Sequence, residues 1–116
     1  MASWLGRFFG QQPATGPAWI EAGELRDRLA RGETPLIVDV RGPDEFDGPL
    51  GHIEGALNVP LSALPAQIPE IGRAAAPVVL VCLTDKRSSQ AAAALADAGI
   101  RDVAVLRGGM RAWRGE

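Results

Sequence analysis

The stretch Val78-Val79-Leu80-Val81-Cys82-Leu83-Thr84-Asp85-Lys86-Arg87-Ser88-Ser89 decides how the rest of the chain is read. Its four leading residues are apolar and mostly β-branched, which predicts a buried strand. A polar loop of four residues and an arginine follow Cys82, and the next run, Gln90-Ala91-Ala92-Ala93-Ala94-Leu95-Ala96, is strongly helix-forming. A cysteine between the carboxyl end of a strand and the amino end of a helix stands where parallel α/β sheets bind ligands. Unpaired N–H groups and the helix dipole at such a point favour an anion, a thiolate included.

The flanking segments alternate in the same manner. Trp19-Ile20 reads as a short strand, and Glu21 to Arg31, with Leu25 and Leu29 four apart and Gly32 beyond, reads as a helix. Leu36 to Val40 predicts a buried strand, Pro43 to Asp47 a proline-started helical turn, and Ala56 to Val59 a third strand closed by Pro60. Ser62 to Ile71 predicts a helix interrupted by Pro65 and Pro69. Beyond the Val78 strand, the pattern predicts a helix from Ser88 to Ala98 stopped by Gly99, then a strand from Val103 to Leu106. Gly108-Gly109 then turns into a last helical turn from Met110 to Trp113. Strands alternating with helices imply an α/β fold with a parallel sheet covered on both faces.

Composition narrows the function classes. The 116 residues suit one domain, and an apolar fraction of 47% is enough for a core. A net charge of −2 argues against a nucleic-acid surface. The single cysteine excludes an internal disulfide framework and a Cys-x-x-Cys redox pair. One cysteine and one histidine, His52, do not make a usual zinc site unless carboxylates complete it. No apolar run approaches the roughly 20 residues of a membrane span, so no integral membrane segment is expected. No long apolar stretch marks a secretory signal either, and a reducing, cytoplasmic setting is the expectation. Residues 1–17 differ from the rest: Trp4, Leu5, Phe8 and Phe9 would share one helix face, and Gln11-Gln12-Pro13 begins a linker. This segment is expected to be a tail, flexible or docked on its own domain, or a patch that docks a partner or a membrane.

Three blocks of residues resemble the rhodanese family. The first is Asp39-Val40-Arg41, then Glu45-Phe46, Gly51-His52-Ile53-Glu54-Gly55-Ala56 and Asn58-Val59-Pro60. The second is Val79-Leu80-Val81-Cys82 with Arg87, and the third is Leu106-Arg107-Gly108-Gly109-Met110 with Trp113. Each alone is weak, but all three occur in order at the family's spacing, across residues 18–116. The resemblance implies a rhodanese-like domain over 18–116, with a five-stranded parallel sheet and helices on both faces. It also implies that Cys82 carries sulfur as a persulfide, in a sulfurtransferase that moves sulfane sulfur from a donor such as thiosulfate to a thiol or cyanide.

Those residue types suit that chemistry. Sulfur transfer needs a thiolate, and a free cysteine has a pKa of about 8.5. Loop N–H groups and a helix amino end would lower it and would cradle an anionic persulfide as well. Cys82 is therefore the expected nucleophile, and Leu83, Thr84, Asp85, Lys86, Arg87 and Ser88 the expected substrate-binding loop. Lys86 and Arg87 would attract a small sulfur-containing dianion, arginine's fork suiting an oxyanion better. Four residues separate Cys82 from Arg87, one fewer than in cysteine phosphatases, and the narrower ring of donors disfavours a phosphoryl group. The family often has glycine where this chain has Asp85, so a left-handed residue is expected there, one that aspartate tolerates. Its carboxylate would oppose the thiolate and repel an anionic donor, which leaves a protein-borne persulfide as another donor. No cofactor or metal is required.

Plainer readings stand beside these. A lone cysteine is often an inert buried residue, Arg87 can simply cap or pair, and Thr84 and Ser88 suit turn and cap positions. Ser88 can also turn its hydroxyl to the sulfur. His52 reads as part of a structural turn. Arg41 is expected to pair with Glu45 or another carboxylate and hold the rim, while Met110 and Trp113 read as packing residues. The rival function is a non-enzymatic sulfur carrier or protein-binding module that docks its partner through residues 1–17.

Overall fold

The computed structural model describes residues 17–116. Five strands appear in chain order: β1 (Ala18–Ile20), β2 (Leu36–Asp39), β3 (Leu57–Asn58), β4 (Val78–Val81) and β5 (Val103–Leu106). The helices are α1 (Ala22–Ala30), α2 (Pro43–Phe46), α3 (Leu64–Arg73, entered through a 3-10 turn at Leu61–Ala63), α4 (Lys86–Asp97) and α5 (Gly109–Trp113). All strand pairs are parallel, in the order β1-β5-β4-β2-β3. Pro17 apart, the expected tail and its docking role lie outside the described residues. Among the described residues, no helix is long and apolar enough to cross a membrane.

Strand periodicity sorts the core into two layers. Val79 and Val81 of β4 face one side with Ile37, Ala104 and Leu106, where Leu25 of α1 and Met110 of α5 cover them. Val78 and Leu80 face the other side with Val38 and Val105, under Leu64 and Ile71 of α3 and Ala91 and Leu95 of α4. Cys82 continues this second alternation, so its side chain lies on the α4 side. All eight residues of β4 and β5 are buried. Full burial of a Val or Leu is worth about 1.5–3 kcal/mol, so the middle of the sheet is a stiff base for the loop that leaves β4.

Three local expectations shift. α3 runs through both prolines: Pro65 lies in the first turn, where its missing N–H has no intrahelical acceptor to lose, and Pro69 is exposed. β3 is only two residues long. α4 begins at Lys86 rather than Ser88, because Asp85 takes the N-cap position and Lys86 and Arg87, good helix formers, join the first turn.

Candidate active site

The carboxyl ends of the neighbouring strands β2 and β4 form one rim. From β2 the chain leads outward to β3, and from β4 it leads to β5 on the other side, so the crevice between them is the switch point of the sheet. Cys82 is the residue after β4 and is 1% exposed. Its Sγ lies 3.2 Å from Ser88 Oγ, and the Ser88 backbone N–H donates to it at 3.4 Å. Ser88 is itself buried. The first four N–H groups of a helix have no intrahelical acceptor, and α4 directs one of them at the sulfur. Of the two roles read for Ser88, the hydroxyl does face the sulfur.

The loop Leu83–Asp85 is held from behind by α5. Met110 N–H donates to the Cys82 carbonyl at 2.9 Å and Arg111 N–H to the Leu83 carbonyl at 3.1 Å. This contact depends on Gly109, whose φ is +55°. A Cβ there would lie 2.2 Å from Thr84 O and 2.3 Å from Cys82 O. The sequence shows Gly108-Gly109 as a turn; that the second glycine lets α5 press on the loop emerges only in three dimensions. Leu83 and Asp85 are half-buried, and Thr84 and Lys86 are exposed.

One expectation about the loop is corrected, and for Arg87 the plainer reading of a paired side chain describes the geometry. Asp85 has φ −149°, and among the described residues Ala75 is the one non-glycine residue with positive φ. Position 85 therefore needs no left-handed residue: the early start of α4 turns the chain instead. Arg87 does not stand as a free cation at the mouth. Its Nη1 and Nη2 donate to Glu45 Oε1 and Oε2 at 2.7 and 2.9 Å, a bidentate pair between α4 and α2. Hydrogen bonds from Arg87 hold the Glu45 carboxyl down at about 2, against the opposing effect of burial, and the Gly42 N–H and the charges of Arg87 and Arg41 contribute further. Lys86 has no carboxylate partner among the described residues.

The β2 side of the rim is a buried scaffold. Arg41 pairs with Asp39, Nη2 to Oδ2 at 2.8 Å and Nε to Oδ1 at 3.0 Å, both side chains being 1% exposed. Arg41 touches Glu45 only at its carbonyl, 3.1 Å from Nη1, and also donates to Gly51 O at 2.7 Å. Asn58 Nδ2 donates to Arg41 O at 2.8 Å. His52 stacks on Phe46, with centroids 3.6 Å apart, and its Nδ1 lies 2.9 Å from Phe46 O, a structural arrangement. Met110 is buried, and Trp113 packs on the same core layer while the Arg26 guanidinium lies 4.0 Å from its ring centroid. Among the described residues, no group of three or more His, Cys, Asp or Glu side chains converges as a metal site. The partner that sequence reading did not identify for Arg87 is Glu45, 42 residues away.

This geometry can be set against known proteins. The family model for the rhodanese-like domain matches residues 21–116. The chain belongs to the rhodanese-like family. It is similar to a sulfurtransferase of Allochromatium vinosum, at 39% identity over 94 residues, covering 81% of this chain and 85% of that one. It is 44% identical over 80 residues to YqhL of Bacillus subtilis, covering 69% of this chain and 61% of YqhL. The rhodanese-like domain also matches 23% of the length of a larger Mycobacterium tuberculosis protein at 40% identity. Among solved structures, the human single-domain sulfurtransferase TSTD1 superposes with a TM-score of 0.70 at 29% identity, covering 87% of this chain and 99% of that one. The five-stranded parallel sheet with helices on both faces is thus a rhodanese fold, in a family that includes sulfurtransferases.

Proposed function

We propose that this chain is a sulfurtransferase that carries sulfane sulfur as a persulfide on Cys82. The observation that carries the reading is the placement of Sγ against the Ser88 N–H and hydroxyl at the amino end of α4. Such donors stabilise a sulfur anion, whether thiolate or persulfide. With thiosulfate as donor, the Cys82 thiolate attacks the outer sulfur, the S–S bond of thiosulfate breaks, and sulfite leaves with the electron pair. Cyanide or an acceptor thiolate then attacks the terminal sulfur of the persulfide, and the Cys82 thiolate departs unchanged. This is a double displacement with a covalent intermediate. Leu83, Thr84 and Asp85 shape the loop, and Lys86 and Arg87 lie in the first turn beside it. The thiol suits a reducing compartment such as the cytoplasm.

Intact-mass measurement after thiosulfate treatment tests the reading. The expected result is a gain of one sulfur atom, removed by cyanide as thiocyanate and absent in Cys82→Ser. Full thiocyanate formation by Cys82→Ser would overturn it. The carrier reading draws on a specific observation, the neutralisation of Arg87 by Glu45, which weakens the attraction for a free dianion. If that reading holds, the persulfide forms only after mixing with a protein donor.

A further inference from the structure

We infer that Glu45 is a positioning residue that sets donor preference, disfavouring dianionic sulfur donors by neutralising Arg87 next to the sulfur. The inference rests on the sulfur-transfer reading of Cys82. The Arg87–Glu45 pair differs from an ordinary surface contact, which is usually worth little. It is bidentate, at 2.7 and 2.9 Å, and both side chains are only partly exposed. Its acceptor is anchored on a second side, since the Gly42 N–H donates to Glu45 Oε1 at 3.3 Å. The Glu45 backbone is anchored too, by Arg41, which the buried carboxylate of Asp39 locks in place.

Arg87 directly precedes Ser88 in the first turn of α4, and the Ser88 N–H donates to Cys82 Sγ at 3.4 Å, which puts the Arg87–Glu45 pair beside the sulfur site. Beside the sulfur the formal charges balance in number: Arg87 and Lys86 are matched by Glu45, which pairs with Arg87, and by Asp85, which makes no ion pair with Lys86. A dianion approaching a thiolate meets no surplus positive charge, and a donor with one negative charge or none loses less by this. Glu45 occupies two of the five guanidinium N–H groups and leaves three for a substrate oxygen. The pair therefore removes charge from the mouth while keeping Arg87 aimed. Glu45→Gln keeps an acceptor oxygen for Arg87 and unmasks its charge.

The test uses two donors of different charge. Thiosulfate is a dianion, and an arenethiosulfonate is a monoanion that gives up its sulfane sulfur with sulfinate as leaving group. Transfer of sulfur to cyanide is measured for the full chain, Glu45→Gln, Glu45→Ala, Arg87→Ala and the Glu45→Gln/Arg87→Ala double variant, at low and raised salt, with thermal unfolding as a check on folding. For Glu45→Gln, kcat/KM with thiosulfate should rise about three- to tenfold at low ionic strength, mainly through KM, and by less with the monoanion. The gain should shrink with salt, recur in Glu45→Ala and vanish in the Arg87→Ala background. Equal changes for both donors, a gain that persists without Arg87, or no gain would each overturn the inference. Should Cys82 in the full chain gain no sulfur from either donor, the sulfur-transfer reading fails, and the inference falls with it. If Cys82 loads normally but the donor ratio does not move in Glu45→Gln, the inference alone fails.

Discussion

Gly109→Ala is the sharpest probe of how the active loop is held. The added methyl would sit 2.2 Å from Thr84 O, 2.3 Å from Cys82 O and 2.7 Å from the Leu83 carbonyl carbon. All three are backbone atoms on one loop, so no side-chain rotation relieves the clash; α5 and the loop must separate. A Cβ at φ +55° costs about 1–2 kcal/mol on its own. Separation also strains or breaks the Met110 to Cys82 and Arg111 to Leu83 hydrogen bonds, each worth about 0.5–1.5 kcal/mol. The expected destabilisation is about 2–5 kcal/mol. A domain of this size holds roughly 5–15 kcal/mol in all, so the variant should still fold. At roughly 4–8 °C per kcal/mol, its midpoint should fall by at least about 8 °C. Two measurements check this: thermal unfolding, and the second-order rate of Cys82 alkylation by iodoacetamide, which should change once the loop shifts. Gly108→Ala is the control. Its φ is +76° and its methyl would meet Ala112 Cβ at 2.7 Å, within α5, so it should destabilise while leaving Cys82 alkylation closer to the parent's. A Gly109→Ala midpoint within about 4 °C of the parent, with unaltered alkylation, would refute the idea that this glycine holds the loop.

Other outcomes follow from the same geometry. Ser88→Ala removes the hydroxyl 3.2 Å from Sγ and should slow sulfur transfer about three- to tenfold, the size of one lost hydrogen bond; an unchanged rate would make Ser88 a packing residue. Asp85→Asn should speed transfer from thiosulfate by up to about tenfold, by removing a like charge near the sulfur. Because Asp85 has φ −149°, glycine gains nothing in conformation there, and Asp85→Gly, which costs about 0.5–1 kcal/mol of chain freedom, should do no better than Asp85→Asn; a faster glycine variant would sink this. The Glu45 carboxyl is lowered from 4.5 to about 2 in the folded chain. A lowered carboxyl contributes stability that is fully present above its unfolded value and is lost as pH falls toward the folded one. Thermal unfolding between about pH 4.5 and 2 should therefore fall less steeply for Glu45→Gln than for the parent; equal slopes would contradict the strength of the Arg87 pair.

What was legible in the sequence was whatever depends on near neighbours. Apolar runs beginning at Leu36, Val78 and Val103 set the buried parallel strands, because both faces of such a sheet are covered; the one charged residue within them, Asp39, closes β2. Period-two alternation carries on from Val78 and Leu80 to Cys82 and puts the thiol on the α4 face, so a nucleophile between strand and helix could be read from residue order alone. The start of α4 and the conformation of Asp85 could not, since the preceding loop's shape depends on α5 pressing against it through Gly109, more than twenty residues later in the chain. The charge at the mouth was likewise undecided. Arg87 in sequence is a cation next to a cysteine, and only the fold brings it to a carboxylate 42 residues earlier. Local pattern determines which side chains a strand and a helix present; which of their charges remain available for a substrate depends on through-space pairing that sequence distance does not record.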